Sequence, residues 1–83
     1  MVTMRKGETV RVRLSGSDGE WCIGQVAIIS ENGKSTGLIL DGAVRTSTGG
    51  VIMGFLPLVI DYETERIEGW PTGDCYEIER LEN

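Results

Sequence analysis

The sequence predicts an all-β fold, a small antiparallel barrel of five to six short strands. Three observations support this prediction. β-Branched residues are frequent, the twelve glycines are spread along the whole chain, and turn-forming dipeptides recur at short intervals. Signals for helix are nearly absent. At 83 residues the chain falls below the usual size of one domain, so we expect residues 1–83 to form a single domain.

The first two predicted strands cover residues 9–14 and residues 21–30. Residues 9–14 alternate between apolar and polar side chains, which is typical of a half-buried strand. Asp18-Gly19 lies in the intervening turn, where a glycine can adopt the positive φ of a tight hairpin. Residues 21–30 are too apolar for a strand with one wet face, and Gly24 predicts a bulge or a bend among them.

Asn32-Gly33 is the strongest local signal in the chain. This dipeptide lies between apolar runs and is typical of a type I′ turn, which here leads into a third strand over residues 35–40. Asp41-Gly42 is expected to end that strand. Residues 43–50 are small, polar and glycine-bearing, so we expect them to form a mobile loop.

Three further strands are predicted in the second half of the chain. The fourth covers residues 51–60, and Pro57 confines that point to an edge or a bend because it cannot donate a ladder hydrogen bond. Short strands follow at residues 66–70 and residues 75–81. Strands joined by tight turns without a crossover helix are typical of an SH3-like barrel, and a small β-sandwich is the alternative.

Charge is unevenly distributed along the chain. The net charge of −5 makes the protein as a whole repel a phosphate backbone. Residues 1–45 carry six basic and five acidic side chains, whereas residues 46–83 carry two basic and eight acidic ones. Arg5, Lys6, Arg11 and Arg13 could form a basic stripe, with Arg11 and Arg13 on one strand face. This stripe leaves a nucleic-acid-binding barrel as an alternative that the overall acidity disfavours.

The residue types that catalysis and metal binding most often need are scarce. The chain contains no histidine, which removes Ser-His and Cys-His nucleophile pairs and the commonest ligand of catalytic zinc. The only two cysteines, Cys22 and Cys75, each lie in a segment predicted to be a buried strand, so we expect two thiols in a reducing cytoplasm rather than a disulfide. We predict no catalytic, cofactor-binding or metal-binding residue.

The longest apolar stretch, residues 51–60, is half the length that a membrane helix needs, so no membrane partner is expected. Large apolar side chains occupy both odd and even positions there and would cover both faces of a strand. One face fills the barrel, and a second copy of the protein is the expected cover for the other. The alternative is that a bent sheet of the same chain buries both faces. The predicted interface residues are Val51, Met53, Phe55, Leu58 and Ile60.

Residues 24–73, about fifty in number, resemble a family of short uncharacterised bacterial proteins with no assigned activity. The resemblance rests on Gly24-Gln25-Val26, Ile28-Ile29-Ser30, Asn32-Gly33-Lys34-Ser35, Leu38-Ile39-Leu40-Asp41-Gly42, Gly54-Phe55-Leu56-Pro57-Leu58 and Thr72-Gly73. Because these are turn and strand residues, it implies a shared fold and indicates no chemistry. Proteins of this kind are frequent cargo of mobile elements such as integron cassettes.

A looser resemblance is to the type II dihydrofolate reductases of plasmids, which are SH3-like barrels that assemble as tetramers around a central active pore. It rests on Gly7-Glu8-Thr9-Val10-Arg11, Trp21, Gly24-Gln25-Val26 and residues 76–81. Where that family has a Val-Gln-Ile-Tyr run, this chain has Gly73-Asp74-Cys75-Tyr76, which matches only the tyrosine. Asp74 would repel an anionic cofactor, so no catalytic residue is carried over.

These observations together predict a non-enzymatic β-barrel that forms a homo-oligomer and acts as a binding or interaction module, with no cofactor and an unidentified ligand. The alternative is an enzyme whose active site forms only between subunits, as the resemblance to the reductases would imply. Binding sites at symmetric interfaces can be built from residues that carry no motif in a single chain. The absence of a motif therefore does not exclude an enzyme.

Overall fold

A computed structural model of the protein describes residues 4–81. Every pairing between its strands is antiparallel. The six strands are β1 (Thr9–Leu14), β2 (Cys22–Ile29), β3 (Ser35–Arg45), β4 (Val51–Asp61), β5 (Arg66–Gly69) and β6 (Tyr76–Arg80). The predicted all-β fold is confirmed.

The six strands form one sheet in the order β5-β4-β3-β2-β1-β6. Strands β1 to β5 pair in sequence as a meander, and β6 returns to pair with β1. The sheet curls until its two end strands meet at an isolated bridge between Glu68 of β5 and Cys75, the residue before β6. The result is a nearly closed barrel, consistent with the predicted SH3-like barrel rather than with two packed sheets.

The hydrophobic core fills the inside of this barrel. Alternation along β1 buries Val10 and Val12 completely, while the arginine between them faces outward, as the sequence predicts. The same period of two directs alternate residues of β2, β3 and β4 inward. The core consists of Met4, Val10, Val12, Cys22, Val26, Leu38, Leu40, Val44, Leu56, Leu58, Ile60 and Tyr76.

The turn between β2 and β3 is not of type I′, contrary to the prediction. A type I′ turn needs positive φ at both central residues, whereas Gly33 has φ 74° and Asn32 does not adopt a positive φ. The Gly33 N–H donates to the Ser30 carbonyl at 2.9 Å, so the turn begins one residue earlier than predicted. Asn32 Oδ1 accepts hydrogen bonds from the Ser30 hydroxyl and the Lys34 N–H. This side-chain turn stabilises the observed conformation.

β3 is longer than predicted because it continues through Asp41-Gly42 to Arg45. The register with β4 shifts there, since Ile39 lies opposite Phe55 but Ala43 lies opposite Met53, which leaves extra residues in β3. Gly42 accommodates this bulge with a φ of 126°. The prediction of a loop over residues 43–50 is therefore corrected to residues 46–50, because a bulge does not end a strand.

Two other glycine predictions are also corrected. The positive φ in the connection between β1 and β2 belongs to Gly16, with φ 76°, and not to Gly19. The bulge predicted at Gly24 lies instead between Val26 and Ile28, where the register with β3 shifts. Gly24 itself is buried, and a Cβ there would make ordinary contacts with the residues of β3.

Pro57 interrupts no hydrogen bond between β3 and β4 although β4 is an interior strand. Its carbonyl accepts a hydrogen bond from the Trp70 N–H at 3.0 Å, on the side of β5. The N–H that a proline lacks would point to that same side, where the pairing of β4 with β5 ends at Leu58 and Gly69. Pro57, which was predicted to lie at an edge or a bend, thus lies just beyond the end of the hydrogen-bond ladder between β4 and β5.

Among residues 4–81, no helix has the length and apolar character needed to cross a membrane.

Candidate functional site

The outer surface of β2, β3 and β4 carries an exposed group of large apolar side chains, which we call the apolar face. Met53 is 72% exposed and Trp70 is 64% exposed, while Phe55 is 44% exposed. The apolar face comprises Ile28, Ile39, Val51, Met53, Phe55, Val59 and Trp70.

Strand register brings these side chains together from distant parts of the sequence. Ile39 of β3 lies directly opposite Phe55 of β4. Successive outward residues of β4 are two positions apart, and they are Val51, Met53, Phe55, Pro57 and Val59. The surface is therefore continuous along β4 and extends sideways onto β3.

Phe55 lies across Gly37, and this contact shapes the middle of the apolar face. A Cβ at Gly37 would collide with the end of the Phe55 ring, so the ring can lie flat on the sheet only because residue 37 is a glycine. A groove of about 350 Å³ runs beside the ring, between Ile28 on one side and Pro57 and Trp70 on the other. The groove gives the apolar face a concave part that can receive a side chain.

The structure corrects two of the five predicted interface residues. Val51, Met53 and Phe55 point outward as an interface requires, but Leu58 and Ile60 are 1% and 2% exposed and belong to the core. The alternation of β4 continues without a break through Pro57, so even-numbered residues stay inside the barrel. Whether the three outward residues contact another molecule is not decided by their exposure and remains a prediction.

Four members of the apolar face were not predicted from the sequence. Ile28, Ile39 and Val59 lie in runs of consecutive apolar residues, where composition does not show which side of the strand is outward. Trp70 follows β5 and reaches the face because its backbone is hydrogen-bonded to Pro57. Alternation counted forward from Phe55, which was predicted to point outward, would have identified Val59.

Two members of the predicted basic stripe, Arg11 and Arg13, share the outer face of β1, but acidic residues neutralise them. Arg5 and Lys6 precede β1 and are exposed. Arg11 and Arg13 lie directly opposite Glu79 and Glu77 of β6, and each arginine forms an ion pair with the glutamate across from it. Both guanidinium groups also lie 4.3 Å from the centre of the Trp21 ring. These arginines are engaged within the barrel, and their charge is balanced before any phosphate could approach.

The two cysteines are free thiols in different surroundings. Cys22 is buried, and desolvation, together with the charge of Asp41, raises the pKa of its thiol. Cys75 is only half-buried, which corrects the prediction that both thiols are buried, and its sulfur lies 3.1 Å from Arg66 Nη2. Within the described barrel, no three histidine, cysteine, aspartate or glutamate side chains are grouped to hold a metal ion.

Residues 73–76 are tied into the barrel through Asp74 and Tyr76. Asp74 accepts hydrogen bonds from the Ser47 hydroxyl and the Ser47 N–H, which lower the pKa of its carboxyl. Tyr76 is buried in the core, where desolvation raises the pKa of its phenol, and its hydroxyl donates to the Arg45 carbonyl. These contacts connect the loop after β3 to the start of β6.

Comparison of the chain with protein-family models, with curated proteins and with solved structures found no match.

Proposed function

We propose that the protein is a non-enzymatic binding module that functions as a homo-oligomer of small β-barrels, in which the apolar face is the contact between copies. The observation that carries this proposal is the continuous exposure of seven large apolar side chains on one side of the barrel. Exposed apolar surface of this kind is characteristic of association sites.

The extent of the apolar face favours association between proteins. Aromatic side chains present roughly 150–250 Å² each and the smaller apolar ones somewhat less, so the observed exposed fractions amount to roughly 700 Å² in all. The largest apolar patch on a typical monomer is about 300–600 Å². A standard interface buries about 800 Å² on each partner. The apolar face is therefore larger than a solitary barrel usually exposes and matches one side of a standard interface.

A second copy is the occupant that this surface fits best. A two-fold interface uses the same patch on both molecules, so one exposed face is enough to build it. Aligned sheets pack face to face when each presents apolar side chains. The sheet formed by β2, β3 and β4 presents such side chains on its outer side. A small barrel also gains stability from a second molecule, because a domain of this size buries only roughly 60% of its unfolded surface.

The test is the mass of the protein in solution, measured by sedimentation velocity over a hundredfold range of concentration. We expect the wild-type protein to form a dimer or a larger assembly, and Phe55→Glu to be monomeric because it places a charge in the middle of the apolar face. Ser15→Glu adds the same charge at an exposed turn and should leave assembly unchanged. A wild-type protein that is monomeric at every concentration would refute the proposal.

A further inference from the structure

The two ends of the apolar face carry opposite charges. At one end, Arg45 of β3 lies directly opposite Val51, and both residues point outward. At the other end, Glu68 of β5 lies directly opposite Val59 and points to the same side. The stripe along β4 therefore begins beside a cation and ends beside an anion.

The two charges are placed nearly symmetrically about the middle of the stripe. Val51 and Val59 are both four residues from Phe55, and eight residues of strand span about 27 Å. Arg45 and Glu68 stand on opposite neighbours of β4, since β3 lies on one side of it and β5 on the other. A line from the arginine to the glutamate thus crosses β4 at a shallow angle near Phe55.

We infer that two copies of the protein meet face to face across a two-fold axis that passes near Phe55, with Arg45 of each copy against Glu68 of the other. The inference rests on the proposed function and adds the orientation and register of the two barrels. A two-fold axis that exchanges the two ends of the stripe brings each arginine to the other copy's glutamate. In this arrangement the β4 strands of the two copies cross at a shallow angle, as the strands of aligned packed sheets do at about 30°.

The charges of the single barrel are compatible with this pairing. Among the side chains of residues 4–81, none forms an ion pair with the Arg45 guanidinium; Asp18 and Glu20 line the same groove as Arg45 and Val51 without pairing with that guanidinium. Glu68 Oε1 lies 3.1 Å from Arg66 Nη2, in an ion pair whose members are both substantially exposed. A carboxylate accepts several hydrogen bonds, so Glu68 has capacity for a second cation. Arg45 and Glu68 therefore determine the orientation in which the second copy binds.

Charge reversal tests the arrangement through assembly of single and mixed variants. Arg45→Glu places two glutamates together at both contacts of the dimer, and Glu68→Arg places two arginines together at both. Each single variant should therefore weaken the dimer by roughly tenfold or more in dissociation constant. The double variant Arg45→Glu plus Glu68→Arg restores opposite charges at both contacts and should dimerise within a few-fold of wild type.

Mixing the two single variants gives the decisive measurement. In a heterodimer of Arg45→Glu with Glu68→Arg, each of the two contacts joins a glutamate to an arginine if the pairing is as inferred, so mixing relieves both repulsions. We expect the mixture, in equal amounts and followed by native mass spectrometry, to form heterodimers within a few-fold of wild type, whereas each single variant alone dimerises weakly. A mixture that dimerised no better than the single variants would contradict contact between position 45 of one copy and position 68 of the other.

The outcomes separate this inference from the proposed function. If Phe55→Glu abolished assembly while the double variant dimerised as weakly as the single variants, the apolar face would still be the interface but the register would be wrong. If the wild-type protein were monomeric, both would fail together. Thermal unfolding of each variant, measured at concentrations where it is monomeric, shows whether it is folded, and the double variant remains available if one single variant is not.

Discussion

Gly69 is the position where one added methyl group should damage this barrel most directly. It lies in β5 beside the closure of the barrel, and the ring of Tyr76 packs against it. A Cβ at Gly69 would lie 2.7 Å from Tyr76 Cε2. The Tyr76 ring is buried, and its hydroxyl is bonded to the Arg45 carbonyl, so the ring cannot turn aside without losing contacts. Gly69→Ala should therefore overpack the junction between β5 and β6.

The expected loss follows from two opposing terms. Overpacking a well-packed core costs about 1–3 kcal/mol, whereas alanine is favoured over glycine within a strand by roughly 0.5–1 kcal/mol. The free energy of unfolding should fall by about 1–2 kcal/mol in Gly69→Ala. Since 1 kcal/mol shifts the Tm of a domain of this size by about 4–8 °C, we expect Tm to fall by about 4–16 °C.

The assay is urea and thermal unfolding followed by circular dichroism, at concentrations where the protein is monomeric and no second copy covers Phe55, with Gly37→Ala as the matched control. A Cβ at Gly37 would collide with the Phe55 ring, but Phe55 is exposed and can rotate away from the sheet. Gly37→Ala should therefore stay within about 0.5 kcal/mol of the wild-type free energy of unfolding. Equal unfolding midpoints for Gly69→Ala and Gly37→Ala would show that burial of the clashing ring does not determine the loss of stability.

Three further predictions follow from single contacts. Asp74→Asn should be less stable than wild type at pH 6, because hydrogen bonds from Ser47 lower the pKa of the Asp74 carboxyl in the folded state. The difference in urea midpoint between the two proteins should shrink as the pH falls through that lowered pKa. An unchanged difference at about pH 2 would contradict this. Gly33→Ala should lower the free energy of unfolding by about 1–2 kcal/mol, because residue 33 has φ 74°, which a residue with a Cβ adopts only at a cost. Chemical denaturation that showed no loss would contradict this. Tyr76→Phe should cost about 0.5–1 kcal/mol in the same measurement, since its 3.4 Å bond to the Arg45 carbonyl is long, and a loss above about 3 kcal/mol would point to repacking instead.

Local patterns predicted most of the strands. Residues 9–14 alternate and form β1 with the same bounds, and residues 51–60 form a single strand that passes through Pro57. Errors occurred at the connections between strands. A dipeptide such as Asn32-Gly33 marks a turn, but the hydrogen bonds of its neighbours decide which turn forms. Asp41-Gly42 has the composition of a strand end, yet pairing with β4 continues beyond it.

The candidate site was less predictable than the fold. Val51, Met53 and Phe55 were expected on an outer face and lie there, whereas Leu58 and Ile60 are in the core. Within an unbroken apolar run, a strand can present either set of side chains outward, and the sequence does not show which. The rest of β4 fixes the choice because the period of two cannot change without a bulge.

The sequence by itself determined the all-β class, the number of strands and the excess of apolar residues around Phe55, because each depends on residues that are neighbours along the chain. Only the tertiary structure decided that Ile39 lies beside Phe55, that Trp70 reaches the same surface, and that Arg45 and Glu68 stand at its two ends. Register and barrel closure join residues that are far apart in sequence. Such pairings depend on the packing of the whole sheet, which no local pattern of residues encodes.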